Sequence, residues 1–159
     1  MDFRVGVGYD VHRLVEGLPL RLGGVTVPFH KGAEGHSDAD TLIHAVCDAM
    51  LGAAALGDIG VHFPDTSDEF KGIDSTILLR KTNDIIKSRD YFIINIDSVI
   101  LIQKPRIRPY IDEMRKTLSQ VLGIKIDDIS IKATTTEKLG FIGNEEGVAA
   151  EAVVLLKRL

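Results

Sequence analysis

A single cysteine, Cys47, stands among 159 residues, which excludes both a disulfide framework and a zinc–thiolate cluster. No apolar run approaches the roughly 20 residues that a helix needs to cross a bilayer. Basic charge is not in excess. The net charge is -4 and charged residues make up 26% of the chain, which leaves no electrostatic footprint for nucleic acid. Internal repeats, low-complexity segments and linkers are missing too, so one domain is expected over residues 1–159, large enough to bury a core. Met1-Asp2-Phe3-Arg4 enters a strand directly, and the expectation is a cytoplasmic chain without signal or transit segment.

What is present is a mixed order of strands and helices. Phe3, Val5, Val7, Tyr9 and Val11 alternate as a strand, with Arg4, Gly6, Gly8, Asp10 and His12 on its other face. Gly6 and Gly8 leave that face uncrowded, as happens where a ligand or another backbone comes close. Residues 18–29 read as a hairpin turning at Gly23-Gly24. Helices are expected at residues 38–56, 75–88 and 109–122, the last with Pro109 in its first turn and Gly123 at its end. Residues 93–102 form a near-continuous apolar strand, the pattern of burial on both faces. Strands at 126–134 and 147–156 complete the set. This order predicts an α+β sandwich, a mixed β-sheet with helices on one side.

Asp10 and His12 share one strand face, and His44 follows in the first helix. One carboxylate and two imidazoles are a common catalytic zinc set, because three protein ligands leave a fourth position open. Leu42, Ala45, Val46, Ala49 and Ala53 form the apolar stripe of that helix, so His44 falls almost opposite, with Asp40 and Asp48 one turn to either side. A carboxylate at that spacing can orient a metal-bound imidazole. Taken singly, Asp-x-His is more often a surface pair and His44 a residue on a solvated face; the combination is what points to a metal.

Gly35-His36-Ser37-Asp38-Ala39-Asp40 precedes the helix and offers Ser37 or Asp38 as its cap. Amides behind such a cap favour an anion such as phosphate, although capping alone is the simpler account. Asp58 and Asp65 sit on loops, where a carboxylate serves either sugar or polyol hydroxyls or an ordinary turn. Gln103-Lys104-Pro105-Arg106-Ile107-Arg108-Pro109 is a basic, Pro-stiffened loop, either solvated or placed against phosphate. Lys132-Ala133-Thr134-Thr135-Thr136-Glu137-Lys138-Leu139-Gly140-Phe141 either ends a strand or gathers hydroxyls, amides, a carboxylate and an ammonium around a diphosphate and a hard divalent cation.

Together with Gly8-Tyr9-Asp10-Val11-His12, Asp58-Ile59-Gly60 and Phe63-Pro64-Asp65-Thr66, these stretches carry a resemblance that runs over essentially the whole length of the chain. In them the sequence resembles the 2-C-methyl-D-erythritol 2,4-cyclodiphosphate synthases of non-mevalonate isoprenoid biosynthesis. The resemblance implies a phosphorus–oxygen lyase, in which 4-diphosphocytidyl-2-C-methyl-D-erythritol 2-phosphate cyclises and releases CMP. It implies Zn²⁺ on Asp10, His12 and His44, and Mg²⁺ or Mn²⁺ on Glu137. His36 and Thr135 match positions that stabilise the transition state, and Ser37 the adjoining phosphate contact. Asp58, Ile59 and Gly60 match the ribose contacts, and Phe63, Pro64, Asp65, Thr66 and Ser67 the loop near the methylerythritol. Ile102, Gln103, Lys104, Pro105, Arg106, Ile107 and Arg108, with Thr134 and Thr135, match the cytidine pocket. Asp10, His12, Thr136, Glu137, Phe141 and Asn144 complete the implied substrate contacts.

The same resemblance implies a homotrimer with active sites between neighbouring subunits, acting on a small cytidine-linked substrate and on neither nucleic acid nor membrane. Val148, Ala150, Ala152 and Val154 offer a small apolar face for a central core. Two positions depart from the pattern. Asn144 stands where several relatives have an arginine in a central cavity that binds an isoprenoid diphosphate, which puts that ligand in doubt here. Arg106 replaces the more usual lysine, keeping the charge but changing how it bonds to phosphate. Two other classes share part of this residue set. A zinc hydrolase would use the same three ligands but lacks a glutamate placed as in a His-Glu-x-x-His helix. A metal-stapled trimer without catalysis would need none of the phosphate contacts.

Overall fold

A computed structural model describes residues 2–159. The chain opens with β1 (Asp2–Glu16), the short pair β2 (Leu20–Leu22) and β3 (Val25–Val27), and β4 (Lys31–Ala33). Three helices follow, α1 (Thr41–Ala53), α2 (Ile59–His62) and α3 (Ser75–Lys87). Then come β5 (Tyr91–Leu101), α4 (Ile111–Leu122), β6 (Ile129–Thr134), α5 (Gly140–Gly143) and β7 (Gly147–Arg158). The main sheet has the order β4-β1-β7-β5-β6, and β2 and β3 form a separate hairpin that turns at Gly23-Gly24, as expected. Within the main sheet β5 and β6 pair in parallel, and α4 supplies the crossover such a pair requires. The other pairings are antiparallel.

The packing of α1 on the sheet is set by Gly6 and Gly8. A Cβ at Gly8 would stand 1.9 Å from the Ala45 carbonyl oxygen, and one at Gly6 would stand 1.9 Å from that of Ala49. Helix backbone therefore rests directly on strand backbone, which is the close approach the two glycines allow. Ala152 and Val154 on β7 lie opposite Gly8 and Gly6, completing a small-residue floor under the helix. This contact draws the side chain of His44 down to the level of Asp10 and His12.

Three expectations require correction. First, α1 has no solvated face: His44 is 9% exposed, and α3 packs over the side opposite the apolar stripe. Second, neither Ser37 nor Asp38 caps α1. Asp40 does, accepting from Ile43 N–H at 3.0 Å, so the helix begins at Thr41 rather than at residue 38. Fully buried, Asp40 also accepts from Gly23 N–H at 2.9 Å and Gly24 N–H at 2.7 Å, which ties the hairpin turn to the helix. Burial pushes the Asp40 carboxyl above the ordinary range, against the pull of the amide bonds from Gly24 and Ile43. Third, β5 is buried on one face in the single chain. Ile96, Ser98 and Ile100 point into the core, whereas Phe92 and Ile94 on the rest of the strand are exposed.

The exposed side of the sheet is apolar. Phe3, Val5, Val7, Tyr9 and Val11 of β1 all face away from the helices, with Val5 69% exposed, and Val153 of β7 joins them. The helices thus line one side, and the other side is an open apolar surface. Residues 126–128 form a short 3₁₀ turn, so the following strand starts three residues later than its apolar pattern suggests. Gly123 ends α4 in the left-handed region with φ 69°, as its position implied. Cys47 is fully buried and burial pushes its thiol up to about 12, which leaves it inert. No helix among the described residues is long and apolar enough to cross a membrane.

Candidate active site

Asp10 and His12 project from one face of β1, held by antiparallel pairing to Ala150 and Val148 of β7. His44 descends from the first turns of α1. Asp10 Oδ2 lies 2.9 Å from His12 Nε2 and 3.1 Å from His44 Nδ1, and the two imidazole nitrogens are 3.3 Å apart. These three side chains form a group able to hold a metal ion, with ligand atoms within 4.8 Å of one another. The outer nitrogens are already engaged. His12 Nδ1 donates to the Glu34 carbonyl oxygen at 2.8 Å, while His44 Nε2 lies 3.0 Å from Ser75 Oγ and 3.1 Å from Ser37 Oγ. A carboxylate oxygen and two imidazole nitrogens converging on one point, each ring fixed from behind, suit a divalent cation.

Charge within the cluster is coupled. Burial raises the Asp10 carboxyl, but hydrogen bonds from His12 and His44 outweigh it and bring it below the ordinary range. Burial lowers His12, but the hydrogen bond and charge of Asp10 outweigh that and raise it. Proton and metal therefore compete for one pair of electrons on His12 Nε2.

A cavity of 290 Å³ opens beside the triad. It is lined by His12, His36, Ser37, His44, Ile59, Gly60, Phe63, Asp65, Phe70 and Leu78. His36 Nε2 donates to the Ser67 carbonyl oxygen at 3.0 Å, which ties the Pro64–Ser67 turn to the segment carrying Ser37. Asp58 does not line this cavity. Its side chain caps α2 by accepting from Val61 N–H at 3.1 Å, and Gly60 and Ile59 follow at the rim. Asp48 accepts from Ile59 N–H at 2.7 Å and so pins the start of α2 to α1. Asp40 and Asp48 each have backbone partners of their own, so neither orients His44.

A second cavity of 470 Å³ is lined by Ile102, Gln103, Lys104, Pro105, Arg106, Ile107, Arg108, Ala133, Thr134 and Thr135. Ile102 N–H donates to the Thr134 carbonyl oxygen at 3.0 Å, so the basic loop and the threonine strand end form one wall. Thr136 and Glu137 continue from that wall. Glu137 is exposed with φ 54°, and Gln103 Oε1 accepts from Lys138 N–H at 3.2 Å. Phe141 lies apart from both cavities, beside a third of 240 Å³ with Val11, Arg13 and Gly147. Asn144 caps the end of α5 and is exposed. Within one chain the first two cavities share no lining residue, and Glu137 is not part of the triad.

The profile of the YgbB family matches residues 3–157. This chain belongs to the YgbB family. It is 58% identical over 154 residues to the 2-C-methyl-D-erythritol 2,4-cyclodiphosphate synthase of Syntrophobacter fumaroxidans, covering 97% of each chain. Among solved structures, it is similar to the bifunctional IspDF of Campylobacter jejuni, with TM-score 0.96 and 41% identity. That match covers 99% of this chain and 43% of the longer one. It is also similar to a 2C-methyl-D-erythritol-2,4-cyclodiphosphate synthase in a CDP-bound form, with TM-score 0.89 and 37% identity. There it covers 97% of this chain and all of the other.

Three residues of this YgbB chain reach the site without a signal that sequence reasoning used. Phe70 and Leu78 line the metal-side cavity from the turn before α3 and from α3 itself. Ser75 reads locally as the first residue of a helix capped by Asp74. Its contact with His44 spans 31 residues and follows from how α3 packs on α1.

Proposed function

We propose that this YgbB chain converts 4-diphosphocytidyl-2-C-methyl-D-erythritol 2-phosphate to 2-C-methyl-D-erythritol 2,4-cyclodiphosphate and CMP, in the cytoplasm, as one synthase domain. One observation carries the reading. His12 and His44 of the metal-competent triad share a cavity with His36, Ser37 and Asp65, in a chain of this family. A phosphate, a polyol and a cation are thereby given adjoining contacts.

In this reaction an oxygen of the 2-phosphate attacks the β-phosphorus, and the bond from that phosphorus to the bridging oxygen of CMP breaks. The CMP phosphate leaves with the electron pair. Such a displacement depends on alignment and on neutralising charge at phosphorus. Asp10, His12 and His44 would hold Zn²⁺, and Glu137 would supply a carboxylate to Mg²⁺ or Mn²⁺. When bound, these cations polarise the diphosphate as Lewis acids. Ser37 donates to a phosphate oxygen. His36 and Thr135 stabilise charge that grows at the β-phosphate as the new bond forms. Asp65 accepts from a methylerythritol hydroxyl, and Phe63, Pro64, Thr66 and Ser67 form the loop around that end. Asp58, Ile59 and Gly60 meet the ribose, while residues 102–108 with Thr134 and Thr135 enclose the cytosine and its phosphate, with Thr136 alongside. Asn144, at the end of α5, replaces the charge that would hold a diphosphate in a central cavity.

The substrate has to be held at its base and at its diphosphate. Because the two cavities of one chain have no residue in common, a homotrimer that sets the cytidine cavity of one subunit beside the metal of the next meets the requirement. The open apolar face of β1, β5 and β7 supports such an assembly, since a monomer rarely exposes so much apolar surface. Incubation with the cytidyl substrate, Zn²⁺ and Mg²⁺, followed by ³¹P NMR, tests the reaction. The expected result is one cyclic diphosphate for each CMP. CMP without cyclic product, or no CMP, refutes it.

A further inference from the structure

The outer nitrogen of His44 turns away from both carboxylates of its own helix and meets Ser75. Ser75 stands in the first turn of α3 with no exposed surface, 3.0 Å from His44 Nε2. Behind it, the Ser75 hydroxyl donates to Asp38 Oδ1. The direction of that bond follows from the groups around Asp38. Oδ1 also accepts from Asp40 N–H at 3.2 Å, Oδ2 accepts from Ser75 N–H at 3.0 Å, and Arg21 Nε lies 3.6 Å from Oδ2. Each of these groups is a donor, so the carboxylate is an acceptor on every side. A serine hydroxyl has one hydrogen to give. With that hydrogen committed to Asp38, Ser75 Oγ faces His44 as an acceptor, and the imidazole proton belongs on Nε2.

We propose that Ser75 and Asp38 are positioning residues for the metal centre, a relay that fixes His44 as its Nε2–H tautomer and leaves Nδ1 as the metal-binding nitrogen. The relay deepens the proposed function and rests on Asp10, His12 and His44 being the ligands. The two histidines then bind through opposite nitrogens, each selected from behind. His12 is selected by the Glu34 carbonyl, which takes the proton of Nδ1 and frees Nε2. His44 is selected by the serine–carboxylate pair. A second effect falls on Ser37. Its Oγ accepts from Ala39 N–H at 3.2 Å and lies 3.1 Å from His44 Nε2. With the proton on Nε2, Ser37 accepts from both neighbours, and its own hydroxyl hydrogen is free for an acceptor in the cavity. One relay thereby sets a metal ligand and a phosphate donor together.

The tautomer is read directly from two-bond ¹H–¹⁵N correlations of the histidine rings in the Zn²⁺-loaded, ¹⁵N-labelled protein, where the cation takes the side of His44 that faces Asp10. The wild type should show Nε2–H at His44. In Asp38→Asn an amide that keeps its oxygen toward Ser75 N–H and Arg21 turns a donor at Ser75 Oγ, reversing the relay and depriving His44 Nε2–H of its acceptor. Zn²⁺ titration against a chromogenic chelator should show affinity about 10–100-fold lower in Ser75→Ala and in Asp38→Asn. Thermal melts of the metal-free proteins establish that both variants are folded. A wild-type protein that takes up no Zn²⁺ overturns the ligand assignment and the relay with it. Zinc uptake by the wild type, with affinity unchanged in both variants, overturns the relay alone.

Discussion

Gly8 is the residue on which the distance between sheet and helix depends, and Gly8→Ala is the most direct test of that contact. The added Cβ would lie 1.9 Å from the Ala45 carbonyl oxygen and 2.8 Å from both the Ala45 carbonyl carbon and the Ala49 nitrogen. All three are backbone atoms of α1, so no side chain can rotate out of the way. To reach even a tight contact, helix and strand must separate by about 1 Å, an overpacking strain at or above the usual upper figure of about 3 kcal/mol. For a domain of this size that corresponds to a melting temperature lower by about 6–12 °C.

The same displacement acts on the metal ligands. Asp10 is two residues beyond Gly8 on β1, and His44 adjoins Ala45 on α1. Widening the gap pulls His44 Nδ1 from its 3.1 Å approach to Asp10 Oδ2, so zinc affinity should fall along with stability. Circular dichroism melts of the metal-free protein and a Zn²⁺ titration measure the two effects separately. Gly52→Ala is the matched control in the same helix: its Cβ meets nothing nearer than the Val7 carbonyl oxygen at 3.9 Å. It should stabilise by about 0.5–1 kcal/mol through helix propensity. A Gly8→Ala protein that melts within about 2 °C of the wild type and binds zinc equally well would show the backbone contact to be unimportant.

His44→Ala should lose stoichiometric zinc while the protein stays folded; metal analysis after gel filtration checks it, and retained zinc refutes the ligand assignment. Asp40→Ala removes the acceptor of three backbone N–H groups in the core, from Gly23, Gly24 and Ile43. At about 1–3 kcal/mol for each orphaned donor, urea denaturation should show a loss of at least about 3 kcal/mol, and a loss under about 1 kcal/mol contradicts the assigned role. The Lys132 ammonium, 2.5 Å from Asp97 Oδ1, holds that carboxyl below its ordinary 3.8. Its contribution is therefore present above pH 3.8 and lost as pH falls through the lower folded value. The pair is mostly exposed and is worth no more than about 1 kcal/mol, so Asp97→Asn should melt slightly lower than wild type near pH 6, with the difference shrinking as pH falls below 3.8.

What could be read from the sequence depended on how far apart the deciding partners lie. Alternation over Phe3–Val11 and the two glycines gave β1, its free face and the close backbone approach, because each is a local property of the strand. Gly123 marked the end of α4 for the same reason, whereas Pro109 falls in the 3₁₀ turn Arg108–Tyr110 and α4 itself begins at Ile111. The cap of α1 was not legible among Ser37, Asp38 and Asp40. The choice is made by Gly23 and Gly24, whose amides arrive from a hairpin 16 or more residues away. Taken alone His44 read as a residue on a solvated face, although Leu51 on the same side argued against full solvation; α3 is what covers it, and its arrival is not written in residues 41–53. The apolar run of β5 read as buried on both faces, yet in a single chain one of its faces stays open, since apolar content reports that a surface is to be covered and not by what.

The two parts of the site also differ in how they are built. Asp10 and His12 sit on a strand paired to β7 along most of its length and to β4 at Leu14–Glu16, and His44 sits inside a helix pressed backbone to backbone on that strand. The metal centre is thus held by rigid elements, the arrangement that keeps ligand geometry within narrow limits. Most of the proposed substrate contacts lie on connections: residues 58–67 between α1 and α3, residues 102–108 after β5, and residues 135–138 after β6. His36 and Asp48 fasten the first of these to the metal-bearing layer through single hydrogen bonds, to Ser67 O and from Ile59 N–H. Connections joined to a rigid centre by so few bonds can adjust around a bound polyol without disturbing the ligands. Tight metal geometry and an adaptable substrate loop are thereby compatible in one 290 Å³ cavity.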